Sequence, residues 1–141
     1  MIAYFDTSAF AKLVIDEPGS DEARVAWRDA SRKVSSRLLY VESRAAVARA
    51  ERSGRAARRQ AIAARSVIDD LWQEVTRVDP AEPLIQRAAE LSDRHGLRAY
   101  DAVHLASCES ISDDDVVLVA SDGDLLSAAR GHGLATLRVP R

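Results

Sequence analysis

The chain has 141 residues, 47% of them hydrophobic and 30% charged, with a formal net charge of -2. That is the size of one domain built around a shared core, and the composition argues against a disordered chain, a membrane span or a uniformly basic nucleic-acid binder. A lone cysteine, Cys108, rules out both an intramolecular disulfide and a cysteine-built zinc site, and is expected as a small buried residue on a helix.

Ile2 to Phe5 reads as a short buried strand, and Phe10, Leu13 and Val14 at i, i+3 and i+4 mark a following helix, so Asp6 stands at a strand-to-helix junction. The opening residues meet that acid with no basic flank, unlike a secretion signal, and a cytoplasmic protein is expected. Pro18-Gly19-Ser20 breaks the pattern, and Asp21 and Glu22 open a helix near Arg24 to Ala30. Lys33 to Ser35 is a weak strand, after which Ser36 is the expected cap of a helix from Arg37 to about Ser53, ended by Gly54. Leu38, Val41, Ala45 and Val47 form its predicted inward stripe, with Glu42 at the edge. An acid there invites a functional explanation.

Arg55 to Glu74 is a further long helix, with Val67, Ile68, Leu71 and Trp72 as apolar contacts, and the two helices are expected to form a hairpin joined at Ser53-Gly54. Val75 to Val78 is a brief strand, and Pro80 to His95 a helix with Leu84, Ile85, Ala88 and Leu91 inward and Gly96 as its stop. Ala99 to Ser110 is helical with Asp101 in its first turn; Val116 to Ala120 is the clearest buried strand. Ser121-Asp122-Gly123-Asp124 leads into a helix from Leu125 to about His132, and Thr136 to Val139 is the last strand. Strands alternating with helices indicate one α/β domain over residues 1–141, with a parallel sheet covered on both faces.

Four acids, Asp6, Glu42, Asp101 and Asp122, are the candidates for chemistry. Two of them follow strands, and acids at the carboxyl ends of parallel strands converge on one crevice. Gathered carboxylates repel one another, and a divalent cation relieves that repulsion. All-oxygen ligands suit Mg²⁺ or Mn²⁺, which can supply a nucleophilic water and stabilise a leaving oxygen in phosphodiester hydrolysis. Six arginines between Arg49 and Arg65 against one acid, Glu51, form either a solvated helix face or a grip for a polyanion. Trp27 and Trp72 read as packing residues, and His104, one turn after Asp101, as a hydrogen-bonded, partly buried histidine. His95 and His132 sit near helix C-termini, where a protonated imidazole is favoured.

Asp6-Thr7-Ser8-Ala9 after an apolar strand, Glu42 on its helix, Tyr100-Asp101-Ala102 before His104-Leu105-Ala106, and Val119-Ala120-Ser121-Asp122 together resemble the PIN-domain family. More narrowly, the chain resembles VapC-type toxins of bacterial toxin–antitoxin pairs, and the resemblance spans Ile2 to Val139. It implies a three-layer α/β/α sandwich around a mostly parallel sheet and an Mg²⁺- or Mn²⁺-dependent endoribonuclease that leaves 3′-hydroxyl and 5′-phosphate ends. It also implies inhibition by a VapB-like antitoxin whose C-terminal segment covers the site, and homodimers are common in such proteins. The family's acidic positions carry over to Asp6, Glu42, Asp101 and Asp122, and Thr7 or Ser8 and Ser121 match hydroxyls beside the metals. Asp124 leaves open whether it or Asp122 is the fourth acid. Arg49, Arg52, Arg55, Arg58 and Arg59 are the candidate RNA or antitoxin contacts. Two rivals remain: a PIN-like scaffold without metal activity, and an aspartyl-phosphate phosphatase built on Asp6, which position 8, a serine, fits poorly.

Overall fold

Short apolar strands separated by amphipathic helices assemble into a parallel sheet. The computed structural model describes residues 1–141, and its elements in chain order are β1 (Ile2–Phe5), α1 (Thr7–Val14), α2 (Ser20–Asp29), β2 (Arg32–Ser36), α3 (Leu39–Arg52), α4 (Arg58–Trp72), β3 (Val75–Val78), α5 (Glu82–His95), α6 (Ala99–Glu109), β4 (Val116–Ala120), α7 (Gly123–Gly131) and β5 (Ala135–Arg138). All strand pairings are parallel, in the order β3-β2-β1-β4-β5. The expected α/β sandwich is therefore observed, with helices α1 to α4 on one face and α5 to α7 on the other. No helix is long and apolar enough to cross a membrane.

Strand β1 shows how the sheet divides the core. Ile2 and Tyr4 point to one face, with Leu91, Leu105 and Leu118, while Ala3 and Phe5 point to the other, with Phe10, Trp27, Leu39 and Ile68. Both faces are buried, which is why the strand reads as an unbroken apolar run. Trp27 packs its edge against Phe5 at 5.1 Å between centroids and lies 5.9 Å from Phe10, the packing role expected of it. Phe10 is fully buried. Phe10→Ala should cost about 3–5 kcal/mol in urea unfolding, from lost transfer free energy plus an unfilled cavity; a loss under about 1 kcal/mol would remove this aromatic cluster from the core. Cys108 is buried as expected, and burial pushes its thiol up to about 12.

The helix bearing Glu42 departs from expectation. It begins at Leu39 rather than Arg37, because Ser36 Oγ accepts from the Leu38 amide and shapes the turn before the helix instead of capping it. Its buried residues are Leu39, Ser43, Val47 and Ala50, and Val41, expected inward, is 59% exposed. A serine can take the inward row because Ser43 Oγ donates to the Tyr40 carbonyl one turn back. Helix α4 is shorter than expected, running from Arg58, and Ile85 on α5 is exposed rather than inward. Helix α2 is longer, starting at Ser20 behind Gly19. Gly19 has φ 91°, and a Cβ there would lie 2.1 Å from the Pro140 carbonyl oxygen, so the close approach of the C-terminal segment requires glycine.

The strand order places the site. From β1 the chain steps to β2 and β3 on one side, then crosses back to β4 and β5 on the other. Connections leaving β1 and β4 diverge to opposite sides, and a crevice opens at their carboxyl ends. Asp6 immediately follows β1, and Asp122 lies just beyond β4.

Candidate active site

Asp6 is 2% exposed and caps α1, its Oδ1 accepting from the Ala9 amide at 2.9 Å and both oxygens lying 2.7 Å from Ser8 Oγ. Ser8 Oγ also accepts from the Ser121 amide at 3.0 Å, which ties the end of β1 to the end of β4. Burial pushes the Asp6 carboxyl up to about 6, against the opposing pull of His104, the Ala9 amide and Ser8, and the Asp101 charge adds to the rise. Ser121 Oγ is buried beside it without a hydrogen-bond partner.

Glu42 lies in the first turn of α3 and points at His104, whose Nε2 is 3.0 Å from Glu42 Oε1 and 3.2 Å from Thr7 Oγ1. His104 is hydrogen-bonded as expected but more deeply buried than the partial burial expected of it, and its Nδ1 lies 2.9 Å from the Tyr4 hydroxyl. Burial raises the Tyr4 pKa far above its ordinary value, so Tyr4 keeps its proton and can donate it to Nδ1. In the neutral ring the remaining proton then sits on Nε2 and is donated to Glu42. Burial disfavours the charged imidazole, yet the Glu42 bond and the charges of Glu42, Asp6 and Asp101 outweigh it and leave the His104 pKa raised.

Asp101, in the first turn of α6, and Asp122, the cap of α7, share one cation. Arg98 Nε lies 3.6 Å from Asp101 Oδ2, and its Nη2 lies 3.8 Å from Asp122 Oδ2. Asp122 Oδ1 is occupied by the Asp124 and Leu125 amides. Burial and the neighbouring Asp122 charge raise the Asp101 carboxyl, with Glu42 adding to the rise and Arg98 and His104 opposing it. The four acids thus belong to one electrostatic neighbourhood. No three of the chain's His, Cys, Asp or Glu side chains converge on a single ligating point, because Asp6 is turned to Ser8 and Ala9, Glu42 to His104, and the other two to Arg98.

The remaining candidates divide. Thr7, Ser8 and Ser121 line the acids, whereas the Asp124 side chain lines a separate recess with His95 and Ser127. Arg49 borders a recess beside Glu42, together with Thr7, Val41, Ala45 and Tyr100. Arg52, Arg55, Arg58 and Arg59 lie exposed around the α3–α4 turn and the start of α4, apart from the acids' own contacts. Arg98 and Tyr4 escaped the sequence reading; the signal for Arg98 was its i, i+3 spacing to Asp101. The favoured protonation of His132 is overturned: burial, with the charges of His95, Arg94 and Arg87, lowers its pKa despite Glu109, and its Nε2 lies 2.7 Å from that of His95.

An open parallel sheet with acids gathered at its topological switch point defines an α/β fold with an oxygen-rich, negatively charged centre. Within that class the chain belongs to the PIN domain family, whose sequence model matches residues 3–131. Ribonuclease VapC45 of Mycobacterium tuberculosis is 36% identical over 132 residues, covering 94% of this chain and 92% of that protein. The crystal structure of Mycobacterium tuberculosis VapC20, a sarcin-ricin loop cleaving toxin, superposes with a TM-score of 0.70 at 22% identity, covering 96% of this chain and 98% of that one. VapBC-5 of the same organism, a toxin–antitoxin system, gives 0.66 at 16% identity with 98% of each chain covered.

Proposed function

We propose that this protein is a divalent-metal-dependent endoribonuclease, the toxin component of a type II toxin–antitoxin pair, with Asp6, Glu42, Asp101 and Asp122 as its metal-holding acids. The observation that carries this reading is the acid neighbourhood at the β1/β4 switch point, in a chain 36% identical to a ribonuclease across 94% of its length.

The donors fit a hard cation. They are all oxygen, burial and then the neighbouring acid charges raise the carboxyls of Asp6 and Asp101, and the orphaned Ser121 hydroxyl beside them is a further oxygen without a partner. Mg²⁺ or Mn²⁺ bound there would activate water and stabilise the leaving oxygen. Asp101 and Asp122 would hold it once Arg98, whose side chain is 85% exposed, swings aside towards the substrate's phosphates. His104 fixes the direction of Glu42 by donating from Nε2, and Tyr4 fixes the imidazole in turn. Ser8 holds Asp6 and the Ser121 amide together, so the two strand ends keep their spacing.

Arg49, Arg52, Arg55, Arg58 and Arg59 supply positive charge along α3 and α4 for RNA or for a VapB-like antitoxin. Homodimerisation is part of the same reading: exposed Ile85 borders an apolar recess with Ala88, Ala99 and Val103, and sedimentation velocity reads the assembly directly. An aspartyl-phosphate role suits the site poorly, since the second aspartate it would want two residues after Asp6 is Ser8, whose hydroxyl lies against both Asp6 oxygens.

Purified protein, freed of any antitoxin, should cut total RNA with Mg²⁺ or Mn²⁺ and stop in EDTA, giving 5′-phosphate and 3′-hydroxyl ends on mapping. No cutting with either metal would leave the inactive-scaffold alternative standing.

A further inference from the structure

Beside the acids lies a recess of about 230 Å³, open to solvent and lined by Thr7, Val41, Glu42, Ala45, Arg49 and Tyr100. Two of its apolar walls are unusual for a folded surface: Val41 and Tyr100 are each 59% exposed. Neither contributes to the core clusters. Burying a tyrosine ring is one of the larger gains available to a side chain, so a ring left out at the mouth of an acidic site has an energetic cost that a ligand can recover. Tyr100 immediately precedes Asp101, while Glu42 and Thr7 belong to the recess and to the His104 network at once. Any group seated there is therefore next to the atoms that surround a reacting phosphate.

We propose that this recess seats one unpaired nucleobase of the RNA, stacked on Tyr100 against Val41, with Arg49 and Arg98 meeting the phosphates on its two sides. The proposal deepens the nuclease reading and rests on it. Size favours a single flat group, since the recess is smaller than the usual 300–1,000 Å³ of a site for a drug-sized molecule. Charge favours a nucleotide. Arg49 makes no ion pair, and Arg98 contacts Asp101 and Asp122 only at 3.6 and 3.8 Å, so both guanidiniums can turn to phosphate. Unpaired RNA is commonly read by splayed bases stacked on aromatic side chains, and a duplex keeps its bases inside. The recess would thus select single-stranded or looped segments and set which nucleotide lies beside the cut.

The test uses single-stranded RNA oligonucleotides carrying 2-aminopurine, walked one position at a time across a mapped cleavage site, with Mg²⁺ present. One position should show fluorescence quenching on binding, and Tyr100→Ala should abolish it. Tyr100→Ala should raise KM about tenfold to a hundredfold with little change in kcat, and Tyr100→Trp should restore both quenching and KM. Removing the base at the quenched position should cost wild type the same factor and cost Tyr100→Ala nothing further. Equal KM and equal quenching in wild type and Tyr100→Ala would overturn the proposal, as would a loss of antitoxin binding in Tyr100→Ala with RNA affinity unchanged. Tyrosine-dependent quenching without cleavage would uphold the base site and sink the nuclease reading instead.

Discussion

Asp101→Asn is expected to lower RNA cleavage at least about a hundredfold while the protein stays folded. Groups that merely orient a metal's ligands are typically worth ten- to a hundredfold, so loss of a carboxylate that holds the cation directly should cost no less. Stability should survive for an electrostatic reason. Burial and then the Asp122 and Glu42 charges raise the Asp101 carboxyl pKa, against the pull of the mostly exposed Arg98 at 3.6 Å and of His104. Removing the charge therefore relieves burial cost and repulsion, and forfeits a solvated ion pair worth little together with the weaker pull of His104. Circular dichroism and thermal melting would verify the fold alongside the cleavage assay. Cleavage within a few-fold of wild type would take Asp101 out of the metal centre.

Millimolar Mn²⁺ or Mg²⁺ should raise the melting temperature by several degrees at pH 7.5 and by much less at pH 5. A ligand at a hundred times its Kd stabilises the folded state by about 2.7 kcal/mol. Protons compete with it, because burial holds Asp6 up to about 6 against an ordinary value of 3.8. The metal-free protein should show the complementary trend. Between those two values the folded state keeps a proton on Asp6 that the unfolded chain has released, so Asp6 lowers stability as pH rises through the window. Asp6→Asn should flatten that slope and remove the metal response, since the amide oxygen can still accept from Ala9 but the buried charge is gone. Melting curves in EDTA and in Mn²⁺ across pH 5 to 8 read both effects. A metal shift of equal size at pH 5 and 7.5 would mean that Asp6 does not take part.

Elements whose both faces are buried were the most legible. The bounds of β1 and β4 agree with their apolar runs, because a strand between two helical layers leaves no room for a polar interruption. Helix starts were less so. Ser36 has the residue type of a cap, yet its hydroxyl meets the Leu38 amide within a turn, and the helix begins later at Leu39. Val41 carries the wrong chemistry for the surface it occupies, and its exposure was hidden because the inward row includes Ser43, which satisfies its hydroxyl locally. Asp122 and Asp124 read alike in the chain, two acids at one helix start, whereas in the fold Asp122 faces Arg98 and Asp124 borders a separate recess shared with His95.

From the chain alone came the alternation of strands and helices, the acids at strand ends and the family resemblance, since each depends on neighbours within a few residues. Only the folded arrangement decided which charges meet. Strand order put the ends of β1 and β4 side by side, brought Tyr4 beneath His104 and His104 beneath Glu42, and set Arg98 between Asp101 and Asp122. Those partners are distant in sequence, and their Coulomb and hydrogen-bond energies depend on separation in space, which no local pattern of residues specifies.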